Sequence, residues 1–112
     1  MFLLREATLL AAAISLVAAS GIPTFDVEAH CRDVARRAAP VGRTEVCLRL
    51  ESTARERLAR EWPSFAEADK SHCLELSRLG EPTYTELLTC LELAREARNL
   101  RERDRSTTGE SR

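Results

Sequence analysis

Four cysteines, two of them directly preceded by a histidine, are the residues of this chain with the most chemistry available to them. They form two pairs of nearly equal spacing, Cys31 with Cys47 and Cys73 with Cys90, sixteen and seventeen residues apart. Such thiols form disulfides in an oxidising compartment, or bind a metal ion where the compartment keeps them reduced. The choice therefore depends on where the chain resides and on the elements that carry the cysteines.

The cysteine spacing also indicates an internal repeat. Cys31 and Cys73 are 42 residues apart and Cys47 and Cys90 are 43 apart, so the second half copies the first with one residue inserted. Four cysteines allow three pairings. Equivalence of the two copies favours Cys31–Cys47 and Cys73–Cys90, and cross-pairings stay open. Closing a loop of this length stabilises a fold by about 3 kcal/mol in the chain-entropy model.

Metal and catalytic chemistry have little support in the sequence. His30 and His72 each adjoin a cysteine, and neighbours on a helix point about 100° apart, which is unsuited to gripping one ion. Haem attachment would need Cys-x-x-Cys-His, which is absent, as are the common nucleophile and phosphate-loop motifs. We therefore expect no cofactor, no metal and no enzymatic activity, with both histidines half exposed and Trp62 in the core.

The N-terminus predicts the compartment. An apolar run of thirteen residues, from Ala7 to Ala19, follows Arg5 and ends in small residues. The run is shorter than the ~20 residues that span a bilayer, and its end has the composition that signal peptidase reads. Residues 1–20 are therefore predicted to be a signal peptide cleaved after Ala19 or Ser20, with a buried N-terminal helix or an uncleaved anchor as the alternatives. Export to the periplasm or beyond would oxidise the cysteines.

The charge of the predicted mature chain is balanced. Its 92 residues carry 16 Lys or Arg and 17 Asp or Glu, so a nucleic-acid partner is not expected. Many arginines lie four residues after an acid, a spacing that supports solvated helix faces. The predicted pairs are Glu28–Arg32, Asp33–Arg37, Glu45–Arg49, Glu51–Arg55 and Glu56–Arg60.

Hydrophobic spacing in the first copy is helical. The first predicted helix carries an apolar stripe through Val27, Cys31 and Val34, and it stops near Pro40 and Gly42. The second spans roughly 43–61 and ends before Pro63. Its apolar face is formed by Cys47, Leu50, Ala54 and Leu58.

The second copy has the same organisation. Ser64 to Glu67 and Thr83 to Glu86 have the form of capping boxes, which predicts helix starts at both places. Apolar residues assigned to the third helix are Phe65, Cys73, Leu76 and Leu79. The sequence thus predicts an all-α, disulfide-stapled four-helix domain over 21–103, built from two duplicated hairpins. A polar tail at 104–112 is expected to be disordered.

Two stretches carry a resemblance to a known family. They are 51–62, with the pattern E-x-x-A-R-E-x-L-x-x-x-W, and 82–98, which reads PTYTELLTCLELAREAR. They resemble small exported bacterial four-cysteine helical proteins, in which a Ser-Tyr-x-Glu-Leu-Leu-Thr-Cys-Leu-Glu segment recurs near the C-terminus. This chain has Thr83 in place of that serine and keeps the hydroxyl. The resemblance implies export and the cysteine framework, and it brings no activity, cofactor or binding residue.

The sequence favours a binding role over catalysis. We expect a periplasmic or secreted accessory protein with a protein partner in the cell envelope and no membrane span after signal cleavage. The partner's identity and the oligomeric state do not follow from the residues. Two alternatives stay open: a small ligand- or metal-binding periplasmic protein, and an acid-stress chaperone whose helices loosen when the carboxylates are protonated.

Overall fold

The computed structural model describes residues 21–38 and 43–110, and within them the chain forms four α-helices and no strand. The helices are α1 (Val27–Ala38), α2 (Arg43–Glu61), α3 (Glu67–Ser77) and α4 (Tyr84–Glu110), with a 3₁₀ turn (Trp62–Ser64) between α2 and α3. The predicted all-α class is confirmed. The predicted signal peptide (1–20) and the Pro40–Gly42 helix stop lie outside the described residues.

Each hairpin is closed by one disulfide. Cys31 bonds to Cys47 across α1 and α2, with a Cα–Cα distance of 5.5 Å. Cys73 bonds to Cys90 across α3 and α4, with a Cα–Cα distance of 5.8 Å. The pairing favoured by the repeat is therefore confirmed, and each bond joins two helices of the same copy.

The two hairpins pack against each other through α2 and α4. Residue numbers increase along this interface in the same direction on both helices. The contacting pairs, in order, are Glu51 with Tyr84, Arg57 with Glu92, and Glu61 with Arg95. These two helices are therefore parallel, as alternating up-and-down helices require of the second and fourth members. No disulfide crosses this interface in the described part of the chain.

The core lies between α2, α3 and α4. Its buried side chains include Ala54, Leu58, Trp62, Phe65, Cys73, Tyr84, Leu87, Leu88 and Leu91. Trp62 is 8% exposed, which confirms its predicted place in the core. The segment before α1 is bound to the same core, because the Tyr84 hydroxyl accepts from the Phe25 N–H at 2.9 Å and donates to the Pro23 carbonyl at 3.1 Å.

One predicted helix start is wrong and the other is confirmed. Ser64 caps no helix; its hydroxyl donates to the carbonyl of Glu61 at 2.7 Å, within the 3₁₀ turn. Phe65 is extended and buried, so α3 begins only at Glu67. At the start of α4, by contrast, the Thr83 hydroxyl accepts from the N–H three residues later at 3.1 Å, as an N-cap should.

The predicted disordered tail at 104–112 is wrong for its described part, because α4 continues to Glu110. Thr107 and Thr108 donate their hydroxyls to the carbonyls four residues earlier, at 3.0 and 2.9 Å, so they bond within the helix. The polar composition correctly indicated that this segment buries no side chain, since 101–109 is exposed throughout. It did not indicate the backbone state.

Three leucines predicted on apolar helix faces lie exposed instead. Leu50, Leu76 and Leu79 keep 58, 46 and 81% of their surface in contact with solvent. Leu79 lies two residues beyond Ser77, the last residue of α3, and therefore leaves the helix face. The exposure of Leu50 has a different cause, which lies in the register of α2 against α4.

Candidate functional site

The register of α2 against α4 leaves the first half of α2 uncovered by the second hairpin. Glu51 contacts the first residues of α4, and the two helices run parallel from that point. Residues 43–50 therefore extend past the beginning of α4, on the part of α2 that packs against α1. This stagger explains why Val46 and Leu50 remain 44 and 58% exposed although both continue the helix.

The uncovered part of the first hairpin forms a cleft of about 210 Å³ beside its disulfide, which we call the first cleft. Its apolar lining comes from Val34 of α1 and from Val46, Cys47 and Leu50 of α2. Polar groups from His30, Arg43, Glu51 and Thr85 complete it. An apolar floor with a few polar groups at its edge is the usual composition of a binding site.

Glu51 closes the inner end of the first cleft and is 3% exposed. One carboxylate oxygen accepts the Tyr84 N–H at 2.6 Å and the other accepts the Thr85 hydroxyl at 2.5 Å. A carboxylate at a helix N-terminus satisfies amide groups that have no partner within the helix, and it interacts favourably with the helix dipole. Glu51 thus joins the first hairpin to α4 by polar contacts.

The mouth of the first cleft is basic. Arg43 lines it, and Arg49, three residues after Val46, lies on the other flank of that side chain and outside the lining. Both arginines are exposed, and neither forms an ion pair with another residue within 21–38 and 43–110. The predicted Glu45–Arg49 pair is therefore wrong. Of the five predicted pairs only Asp33–Arg37 forms, at 2.6 Å.

The second hairpin has a cleft of the same size, about 210 Å³, at the equivalent place. This second cleft is lined by its disulfide, Leu76, Ser77 and Glu86. Counting from the cysteines, Leu76 is equivalent to Val34 of the first cleft, and Glu86 is equivalent to Arg43. The two copies therefore keep a cleft beside the disulfide and carry opposite charges at its edge.

Ion pairs join the hairpins on the other side of Glu51. Arg95 of α4 donates to Glu61 of α2 at 2.9 Å, and Arg57 of α2 pairs with Glu92 of α4. The hydrogen bond from Arg95 is the main reason that the pKa of Glu61 lies below its usual value, and the charge of Arg57 adds to the effect. Within the second hairpin, Arg98 donates two hydrogen bonds to the Asp69 carboxylate, and these bonds raise the pKa of Arg98.

The other residues singled out by sequence do not converge on one centre. His30 lies at the first cleft, with its Nδ1 atom 3.0 Å from a Glu81 carboxylate oxygen, whereas His72 is exposed on α3. All four cysteines are in disulfides. Among the described residues, no group of three or more His, Cys, Asp and Glu side chains is arranged to hold a metal ion.

Comparison with known proteins adds no relative. Searches against protein-family models, curated proteins and solved structures found no match. No helix in the described part of the chain combines the length and apolar character needed to cross a bilayer.

Sequence reasoning placed the disulfides correctly and missed the first cleft. The repeat alone contained a clue, because the residues four before the second cysteine of each copy are Arg43 and Glu86. A charge reversal between otherwise equivalent positions indicates that the two copies contact groups of different charge. Exposure of Leu50 could not be read from the pattern, since it depends on where α4 begins relative to α2.

Proposed function

We propose that this chain is an exported, non-enzymatic protein-interaction module of the bacterial cell envelope, periplasmic or secreted. The observation that carries the proposal is the apolar cleft beside the first disulfide, with two large aliphatic side chains left exposed in a small domain. Exposed apolar surface with a polar edge is typical of a protein contact. Two disulfides in so short a chain are typical of proteins that leave the cytosol.

Export is tested on protein isolated from its native location. Intact mass measured before and after alkylation, without reductant, reports the cleavage site and the number of free thiols together. We expect a chain beginning at Ser20 or Gly21 that takes up no alkylating reagent. Four alkylated cysteines, or an unprocessed Met1 in a cytosolic fraction, would contradict the proposal.

The interaction role is tested by crosslinking in intact cells. A photoreactive amino acid at position 46 or 50 reports what lies against the first cleft, and the same residue at exposed Glu56 is the matched control. We expect a discrete crosslinked protein from the cleft positions only. Metal analysis and an absorbance spectrum of the purified protein test the alternative ligand-binding role, which a stoichiometric metal or chromophore would favour.

One observation favours an acid-stress chaperone as the second candidate. The disulfides act within hairpins, and the polar contacts between α2 and α4 use the carboxylates of Glu51, Glu61 and Glu92. Protonation of carboxylates in strong acid would weaken these contacts and leave the arginines uncompensated. The stapled hairpins would then separate and expose core leucines. Suppression of client aggregation at pH 2–3 by the purified protein is the test, and no suppression excludes this role.

A further inference from the structure

We propose that the first cleft binds an acidic amphipathic helix of a partner protein. This inference rests on the proposed interaction role and specifies the chemistry of the partner. The juxtaposition that carries it is an apolar floor, formed by Val34, Val46 and Leu50, beside arginines that have no acidic partner in the described chain.

The shape of the cleft favours a helix. Two antiparallel helices, α1 and α2, form its walls, and the cleft of about 210 Å³ has room for large apolar side chains projecting from one face of a third. Amphipathic helices bind grooves in this way, with anchors spaced at i, i+3, i+4 and i+7. Within the fold, α4 covers the second half of α2 in a comparable way, with Leu87 and Leu91 buried there. A partner helix would continue that packing along the first half.

The charge at the cleft favours an acidic partner. Arg43 and Arg49 flank Val46 and are available to carboxylates. The acids nearby are already engaged. Glu51 accepts two hydrogen bonds from the start of α4, Asp33 accepts from two arginines of α1, and Glu81 lies 3.0 Å from the Nδ1 atom of His30. An incoming carboxylate would therefore meet positive charge that internal pairs do not neutralise.

Other occupants fit less well. A bilayer surface would meet Leu50 and Val46 in a recess between helices, where lipid headgroups do not contact them as they would on a convex face. A second copy could offer the acidic edge of its second cleft. That edge supplies Glu86 alone, because Glu92, the equivalent of Arg49, is already paired with Arg57 of its own chain.

The experiment uses the processed, disulfide-bonded protein and a defined probe. The probe is a fluorescein-labelled helix of roughly 16 residues, long enough to form in isolation, with leucines at the four anchor spacings and glutamates beside them. A scrambled peptide of equal composition is its control. Fluorescence anisotropy is expected to show saturable binding of the amphipathic peptide and at least tenfold weaker binding of the scrambled one.

Matched variants locate the contact. Arg43→Glu with Arg49→Glu is expected to weaken binding at least tenfold, and Leu50→Asn to weaken it without altering the charge. Arg101→Glu with Arg105→Glu changes the net charge equally on an exposed part of α4 and is expected to leave binding unchanged. A peptide with lysines in place of glutamates should bind the Arg43 and Arg49 double variant better than the original protein. All these positions are exposed, so folding is checked by circular dichroism.

Several results would overturn the inference. The first is the absence of saturable binding at peptide concentrations up to about 1 mM, the weak end of recognition. The second is equal binding of the scrambled peptide, and the third is equal weakening of binding by the control variant. Binding of phosphatidylglycerol vesicles without binding of the peptide would identify a membrane surface instead. Self-association that is lost in the Arg43 and Arg49 variant would identify a second copy. An exported protein whose crosslinked partner contacts another face would contradict this inference and leave the proposed function standing.

Discussion

Glu51 shows how the role of a single residue depends on tertiary structure. The sequence places it four residues before Arg55 and predicts a solvated pair, but the carboxylate is buried and accepts hydrogen bonds from the start of α4. Arg55 lies over the Tyr84 ring instead, 5.8 Å from its centroid. A glutamate that fits an (i, i+4) charge pattern within its own helix can thus serve instead to cap a different helix, and the sequence does not distinguish the two roles.

Replacement of Glu51 is expected to destabilise the protein. Glu51→Ala leaves the buried Tyr84 N–H without an acceptor and removes a favourable charge from a helix N-terminus, at a cost of about 2–3 kcal/mol. Glu51→Gln keeps one acceptor and should cost less. Urea unfolding measures the difference, and Glu56→Ala, on the exposed face of α2, should change stability by less than about 0.5 kcal/mol. Equal effects of Glu51→Ala and Glu56→Ala would contradict the assigned cap.

The spacing of apolar residues predicted burial correctly where a helix face packs against the same neighbouring helix along its whole length. Ala54 and Leu58 are buried as their spacing predicts, whereas Leu50, on the same stripe, is exposed because α4 begins level with the residue after it. Helix-capping motifs predicted the helix start correctly only where burial of a neighbouring side chain did not impose another backbone conformation. Thr83 caps α4 as predicted, but Ser64 does not cap α3, because burial of Phe65 draws the chain into an extended conformation.

At the scale of elements, the two hairpins have the same construction and different surroundings. Cys31 and Cys73 are both fully buried, but Cys73 belongs to the main core while Cys31 lies outside it and joins α1 to α2. The repeat predicted the disulfide pairing because the two cysteines of each copy lie at equivalent positions on the two helices of that copy. It could not predict this difference, since both sets of helices have similar apolar patterns.

Removing the two disulfides is therefore expected to have different consequences. Each Cys→Ser pair should cost about 3 kcal/mol in the chain-entropy model. Loss of Cys31–Cys47 should reduce hydrogen-exchange protection chiefly in α1, which packs mainly on α2. Loss of Cys73–Cys90 should reduce protection across α2, α3 and α4 together, because Cys73 lies in their shared core. Identical exchange profiles for the two variants would show that the first hairpin is not an independent unit.

For the whole molecule, the interface between α2 and α4 decides how the hairpins respond to acid. Covalent bonds hold each hairpin, whereas apolar packing and carboxylate contacts hold the pair together. Arg95 lowers the pKa of Glu61, so the folded protein holds this carboxylate ionised at a pH where the unfolded chain begins to protonate it. The lowered pKa means that ionised Glu61 stabilises the folded state.

The sign of the pH dependence follows from this shift. The stabilisation is fully present above the ordinary pKa of a glutamate, about 4.3, and is lost as the pH falls through the lower folded-state value. Urea midpoints measured from pH 7 to pH 2 should therefore decrease on the acid side, and Glu61→Gln should flatten part of that decrease. Glu56→Gln is the control, and an unchanged acid slope in Glu61→Gln would show that the Arg95 contact contributes nothing.

The contact from Glu51 to α4 also bears on how long a tandem array of this hairpin can become. It runs from the first copy to the second, and the position equivalent to Glu51 in the second copy is Ala94. A third hairpin docked on α4 in the same manner would meet a methyl group where its leading amides require an acceptor. Lengthening the array by another round of tandem copying would thus first require an acid at position 94.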